Sequence, residues 1–123
     1  MDPFEFEWFI KEMFELLGYH ATVTKKTNDG GKDIILRKND QRSLVECKRY
    51  NTPKVTRPDI QKFHSAIIDY KATKGYFVTT GDFTKPAIEY CKDKKIELIS
   101  GKELVILLEE VMNCNEKVEI KQE

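Results

Sequence analysis

Three residues in the first half of the chain have the types and spacing for phosphodiester chemistry. Asp33 is followed thirteen residues later by Glu46, within the run Val45-Glu46-Cys47-Lys48. Where that run is a strand, alternation sets Glu46 and Lys48 on one face, roughly 7 Å apart at the usual rise per residue. Oxygen ligands of this kind suit Mg²⁺, which is held by one or two carboxylates plus waters and substrate phosphate oxygens, with Mn²⁺ as its substitute. Such an ion polarises a phosphate, lowers the pKa of a bound water and stabilises the leaving oxygen, while a neighbouring lysine orients or helps deprotonate the attacking water. Taken alone the pattern is loose, because Glu and Lys two apart on a strand are also ordinary cross-strand partners. Its setting sharpens it. Leu44, Val45 and Cys47 are apolar, as a central strand requires, and a charge there is costly without a task or a partner.

Several elements must position these residues. Asp2-Pro3 opens a helix, because Asp caps free backbone N–H groups and Pro tolerates the first helical position. Phe6, Phe9, Ile10, Met13, Phe14 and Leu17 recur at helical spacing before Gly18 ends it. A strand at about 21–25, a turn at Asn28-Asp29-Gly30-Gly31, a strand at about 33–37, a turn at Asn39-Asp40 and a strand at 43–50 follow, the last two strands pairing as a hairpin. After the Asn51-Thr52-Pro53 break, 56–70 reads as a helix carrying Ile60, Phe63, Ile67 and, at its edge, Ile68. A strand at 76–79, a helix capped by Thr84 and reaching about Asp93, and a strand at 96–99 come next. A final helix after Gly101 turns Leu104, Leu107, Leu108 and Val111 inward. This order, αβββαβαβα, predicts an α/β domain with a mixed sheet flanked by helices.

With 123 residues, 40% of them hydrophobic, the chain is expected to form one domain over 1–113, with 114–123 a frayed tail. No apolar run reaches about 18 residues, and Met1 leads into acidic, helix-like sequence in place of a signal peptide, so a cytoplasmic protein without a membrane segment is expected. Cys47, Cys91 and Cys114 are odd in number and unclustered, which points to thiols in a reducing compartment. The 21 basic and 21 acidic residues cancel, but unevenly. Residues 1–21 hold one basic and five acidic residues, 22–62 hold eleven and five, and 63–123 hold nine and eleven. The basic middle block permits contact with phosphate. Lys25, Lys26, Lys32, Arg49, Lys54, Arg57 and Lys62 are its candidates for a phosphate-binding face. Gly30-Gly31 lacks the GxxxxGK[ST] frame and reads as a turn presenting Asp33, so no nucleotide cofactor is expected. His20, His64, Trp8 and the tyrosines show no catalytic or base-stacking spacing and read as packing or surface residues.

Six landmarks in order carry a resemblance: Phe6-Glu7 opening the first helix, Leu17-Gly18-Tyr19 closing it, Asp29-Gly30-Gly31-Lys32-Asp33-Ile34-Ile35, Glu46-Cys47-Lys48-Arg49-Tyr50, Ile60-Gln61-Lys62-Phe63, and Phe77-Val78-Thr79-Thr80 with Phe83-Thr84. Nearly the whole chain resembles the catalytic domain of Mrr-type restriction endonucleases, within the PD-(D/E)xK nuclease superfamily. The resemblance implies a restriction-endonuclease-like fold and a metal-dependent DNA endonuclease. In it Asp33 and Glu46 would hold Mg²⁺, Glu7 would approach the metal from the first helix, and Lys48 would act at the attacking water. Gln61, Lys32, Arg49 and Tyr50 are its candidates for contact with the site or the DNA. Mrr-type domains commonly carry Gln where this chain has Glu46, so the chain shows the general ExK form. They also often add a separate DNA-recognition domain, for which no further segment is expected here. Cleavage of both DNA strands would be simplest in a homodimer. A structure-selective nuclease, such as a Holliday-junction resolvase, and a catalytically silent DNA-binding module remain alternatives.

Overall fold

The computed structural model describes residues 3–24, 34–48 and 54–121, with side chains over 5–24, 34–48 and 54–113. Its elements are α1 (Pro3–Leu16), β1 (His20–Val23), β2 (Ile34–Lys38), β3 (Gln41–Lys48), α2 (Arg57–Asp69), β4 (Lys74–Thr79), α3 (Lys85–Cys91), β5 (Ile96–Ile99) and α4 (Gly101–Lys121). The expected order is the observed one.

The five strands form one sheet in sequence order, antiparallel from β1 to β3 and parallel from β3 to β5. β3 is therefore the middle strand. Its partner across the hairpin is fixed by a two-residue turn, Asn39-Asp40, in which both residues have positive φ (53° and 65°), as a turn matching the strands' right-handed twist requires. That turn sets Ile34 opposite Val45. A slip of one residue would carry Glu46 through to the other face.

Alternation along β3 divides two cores. Val45 and Cys47 pack with Phe6, Ile10, Met13 and Phe14 of α1 and with Leu104 and Val111 of α4. Leu44 packs with Ile60, Phe63 and Ile67 of α2, Phe77 of β4 and Ala87 and Cys91 around α3. Each such side chain, taken fully out of water, contributes about 1.5–3 kcal/mol. The α2 layer sits unusually close to the sheet at Gly75, where a Cβ would collide with Ile67 and would lie 2.8 Å from Phe63.

Helix ends explain the boundaries. α1 stops in a left-handed Gly18 (φ 100°), with Gly18 N–H donating to Glu15 O and Tyr19 N–H to Phe14 O, the paired bonds of a Schellman cap. Thr84 caps α3 by accepting from Ala87 N–H at 3.2 Å. Three expectations need correction. The segment 114–123, read as frayed, continues α4 as far as Lys121; it lacks Gly and Pro and is rich in Glu and Lys, which favour helix. Ile68, placed at the edge of the α2 stripe, is 61% exposed, because the stripe through Ile60, Phe63 and Ile67 leaves it a full helical step outside. Leu17 likewise reaches the surface, at the cap where the chain leaves the helix. Cys47 and Cys91 are buried thiols in different cores; burial pushes the Cys91 thiol up, against a smaller opposing pull from Lys94. Among the described residues no helix is long and apolar enough to cross a membrane.

Candidate active site

The middle strand ends where the chemistry was expected. Glu46 is 5% exposed, and its register partner across the parallel ladder is Phe77. It shares the α2 face with Leu44 and Lys48, because alternation sends Val45 and Cys47 to the α1 face. Lys48, the last residue of β3, is half-buried. Its backbone oxygen accepts from Thr80 N–H at 3.3 Å, which ties the ends of β3 and β4 together.

Lys48 Nζ lies 3.6 Å from Asp59 Oδ1 on α2. Asp59 was not singled out in the sequence. Its other carboxylate oxygen accepts from Thr56 N–H at 3.0 Å and from the Thr56 hydroxyl at 3.1 Å, within a capping box that opens the helix. Burial alone would raise the Asp59 pKa; the Thr56 N–H, the Lys48 ammonium and the Thr56 hydroxyl outweigh it and hold the carboxyl below its usual value. The start of α2 is itself held in place. Val55 N–H donates to Asp82 O at 2.8 Å, Thr84 N–H donates to Val55 O at 3.0 Å, and Val55 bridges Phe83. The segment before α2 is thereby fastened to the loop that follows β4, beside the strand end that carries Lys48.

Glu7 and Gln61 are among the described residues. Glu7 is buried, 2% exposed, on α1, the helix whose apolar residues pack against Val45 and Cys47 of β3. Gln61 is exposed and lies roughly 200° around α2 from Asp59, at 100° per residue, so the helix does not bring it to Lys48. Asp33, Lys32, Arg49 and Tyr50, with Lys25 and Lys26, lie outside the described residues. Asp33 is the chain neighbour of Ile34, which pairs with Val45, the chain neighbour of Glu46. Among the described residues no group of three His, Cys, Asp or Glu forms a metal site. His64 packs edge-on against Tyr90, its Nδ1 3.4 Å from the Tyr90 hydroxyl, and His20 is exposed.

A middle strand presenting Glu46 and Lys48, in a mixed five-stranded sheet between two helical layers, has the architecture of restriction-endonuclease-like proteins. The solved structures of the modification-dependent restriction endonuclease AspBHI (TM-score 0.72, 23% identity, 87% of this chain and 31% of that one) and of MspJI in complex with a 27-mer oligonucleotide (TM-score 0.62, 20% identity, 83% and 26%) share the fold. So does AF1548, a protein of unknown function (TM-score 0.73, 16% identity, 85% and 64%). The family model Mrr_cat, restriction endonuclease, matches residues 1–108, and the chain belongs to that family. It is 30% identical over 117 residues to the type IV methyl-directed restriction enzyme EcoKMrr of Escherichia coli K12, and 35% identical over 88 residues to the uncharacterized protein y4cE of Sinorhizobium fredii. These alignments take in 88% and 68% of this chain but only 38% and 22% of the two relatives.

Proposed function

We propose that this chain hydrolyses phosphodiester bonds in DNA, with Asp33 and Glu46 holding Mg²⁺ or Mn²⁺, Glu7 as a further acid toward the metal, and Lys48 acting at the attacking water. The observation that carries this reading is the buried Glu46 and the half-buried Lys48 on one face of the middle strand, in a chain of the restriction endonuclease family. A carboxylate withdrawn from water is poorly suited to a surface ion pair but well suited to a hard divalent cation, and its oxygens fit Mg²⁺. The bound ion would supply Lewis acidity at the phosphate and an acidified water. The protein's own part is to hold Glu46 in a fixed register, to keep the Lys48 ammonium at the strand end, and to present cationic groups such as Arg57 and Lys62 to the DNA backbone. Gln61, Lys32, Arg49 and Tyr50 are the further contacts we assign to the site or the DNA. Two copies would cut a duplex more simply than one, since a single site cleaves one strand. A DNA substrate and two buried thiols favour the cytoplasm.

The names of the E. coli relative and of AspBHI concern methyl-directed and modification-dependent cleavage, so methylated DNA is the first substrate to compare with unmethylated duplex. The test incubates the protein with methylated and unmethylated duplex, supercoiled DNA and a four-way junction, with Mg²⁺, Mn²⁺ or EDTA. Asp33→Ala and Lys48→Ala variants run alongside. Metal-dependent cutting that neither variant retains is expected. Preferential cutting of the junction would turn the reading to a resolvase, and binding without cutting by either metal would make the chain a silent module.

A further inference from the structure

We infer that Asp59 is the positioning residue for Lys48: the capping box of α2 fixes the carboxylate, and the carboxylate fixes the ammonium beside Glu46. This inference deepens the nuclease reading and rests on it for its meaning in catalysis. Asp59 is tethered on both sides. One oxygen accepts two bonds from Thr56, at 3.0 and 3.1 Å, while the other lies 3.6 Å from Lys48 Nζ. A lysine has a four-carbon stem with freely rotating donors, and a carboxylate fixed within reach narrows the positions its ammonium samples. A carboxylate locked into a helix cap is a fixed partner of this kind, because its own two torsions are already set by Thr56.

The anchor beneath it is stiff. Val55 is wholly buried, bridges Phe83, and exchanges backbone bonds with the 82–84 loop, so the residue that precedes the cap cannot drift from the end of β4. Thr80 N–H in turn holds the Lys48 carbonyl. Backbone and side chain of Lys48 are therefore referenced to the same two loops. Asp59 is more than a helix cap, because capping needs only an acceptor for Thr56, and the second oxygen is turned to the lysine. Asp59 touches no reacting atom; it acts through Lys48.

The experiment compares the full chain with Asp59→Asn, Asp59→Glu and Lys48→Ala. Asn keeps an acceptor for the Thr56 N–H and loses the charge, while Glu preserves both the capping-box pattern and the charge. For DNA cleavage at saturating metal, Asp59→Asn is expected to lower kcat by about 10-fold or more with KM within about 3-fold, the signature of an interaction that matters in the transition state, and Asp59→Glu to recover most of it. A cap without positioning would instead lower thermal stability and leave kcat of the folded fraction unchanged, which would overturn the inference. Thermal melting of Asp59→Asn, Lys48→Ala and the double variant gives a second reading that does not need cleavage. Paired side chains should show a non-additivity of about 2 °C, and strict additivity would overturn the pairing. If the unmutated chain cuts no DNA while the melting cycle shows coupling, the nuclease reading fails and the pairing stands. If it cuts and Asp59→Asn cuts equally well, the positioning role fails and the nuclease reading stands.

Discussion

Glu46 places an acid inside the middle strand at a position where an apolar residue would serve packing better, and that conflict gives it diagnostic value. Mrr-type domains commonly carry Gln there, and an amide oxygen is still a neutral oxygen donor to a divalent ion. Cleavage rates are therefore expected to fall in the order Glu46, Gln, Ala. Glu46→Gln should need a higher Mn²⁺ concentration for half-maximal rate, and Glu46→Ala should cut about 10²-fold or more slowly even at saturating metal. Metal titrations of the three proteins check this, and equal rates for Gln and Ala would remove Glu46 from the metal. Asp59 has a different signature. Its folded pKa is depressed, so the stability it contributes is present above the unfolded carboxyl value of about 3.9 and is lost as pH falls through the lower folded value. The difference in melting temperature between the unmutated chain and Asp59→Asn should be constant from pH 5 to 7 and shrink toward pH 3. At this scale Glu46 and Lys48 were legible because charges two apart in an apolar strand declare a shared face. The Thr56–Asp59 capping box emerged from the structure, and the partnership with Lys48 crosses from one element to another, which no local pattern reports.

Two elements set the geometry around β3. The hairpin turn at Asn39-Asp40 fixes which face Glu46 occupies, and the close seat of α2 on β4 fixes how near Asp59 comes. The second is concentrated at Gly75. A methyl group there would meet Ile67 and Phe63, two fully or nearly fully buried side chains that would have to shift. Gly75→Ala is expected to destabilise the chain by about 1–3 kcal/mol, read as a lower denaturant midpoint with unchanged slope, and to weaken cleavage more than the drop in stability explains by lifting α2 from the strand end. A stability equal to that of the unmutated chain would show that the layer yields easily. Hydrophobic spacing made these elements legible in type and order. Their outer edges were not legible, because Ile68 and Leu17 have the same apolar character as their buried neighbours and only the neighbouring layer decides which is covered. The extent of α4 was missed for a related reason: residues 112–121 lack a strong apolar stripe, yet their composition alone favours helix.

The whole chain is neutral, so any attraction to DNA must come from where its charges lie. Among the described residues, the basic side chains of the block 22–62 fall into separate groups. Arg37, Lys38 and Arg42 flank the hairpin turn, around an open cavity of about 440 Å³, at the end of β3 where the strand begins. Lys54, Arg57 and Lys62 are exposed around the start of α2, the end nearest Lys48. Eight residues of strand separate the ends, roughly 25 Å at the usual rise, which exceeds the reach of a single phosphate interaction. Of these two groups, the second is the one placed to neutralise the backbone of a DNA held at Lys48. Changing Lys54, Arg57 and Lys62 together to Gln should therefore weaken binding and flatten the dependence of log K on log salt by about 0.9 for each phosphate left without its cation. The same change at Arg37, Lys38 and Arg42 should leave that slope unaltered. Fluorescence anisotropy on labelled duplex in EDTA, across a series of salt concentrations, measures both without cutting. The reverse pattern would mean that DNA docks on the hairpin end, too far from Glu46 and Lys48 for those residues to cut it there.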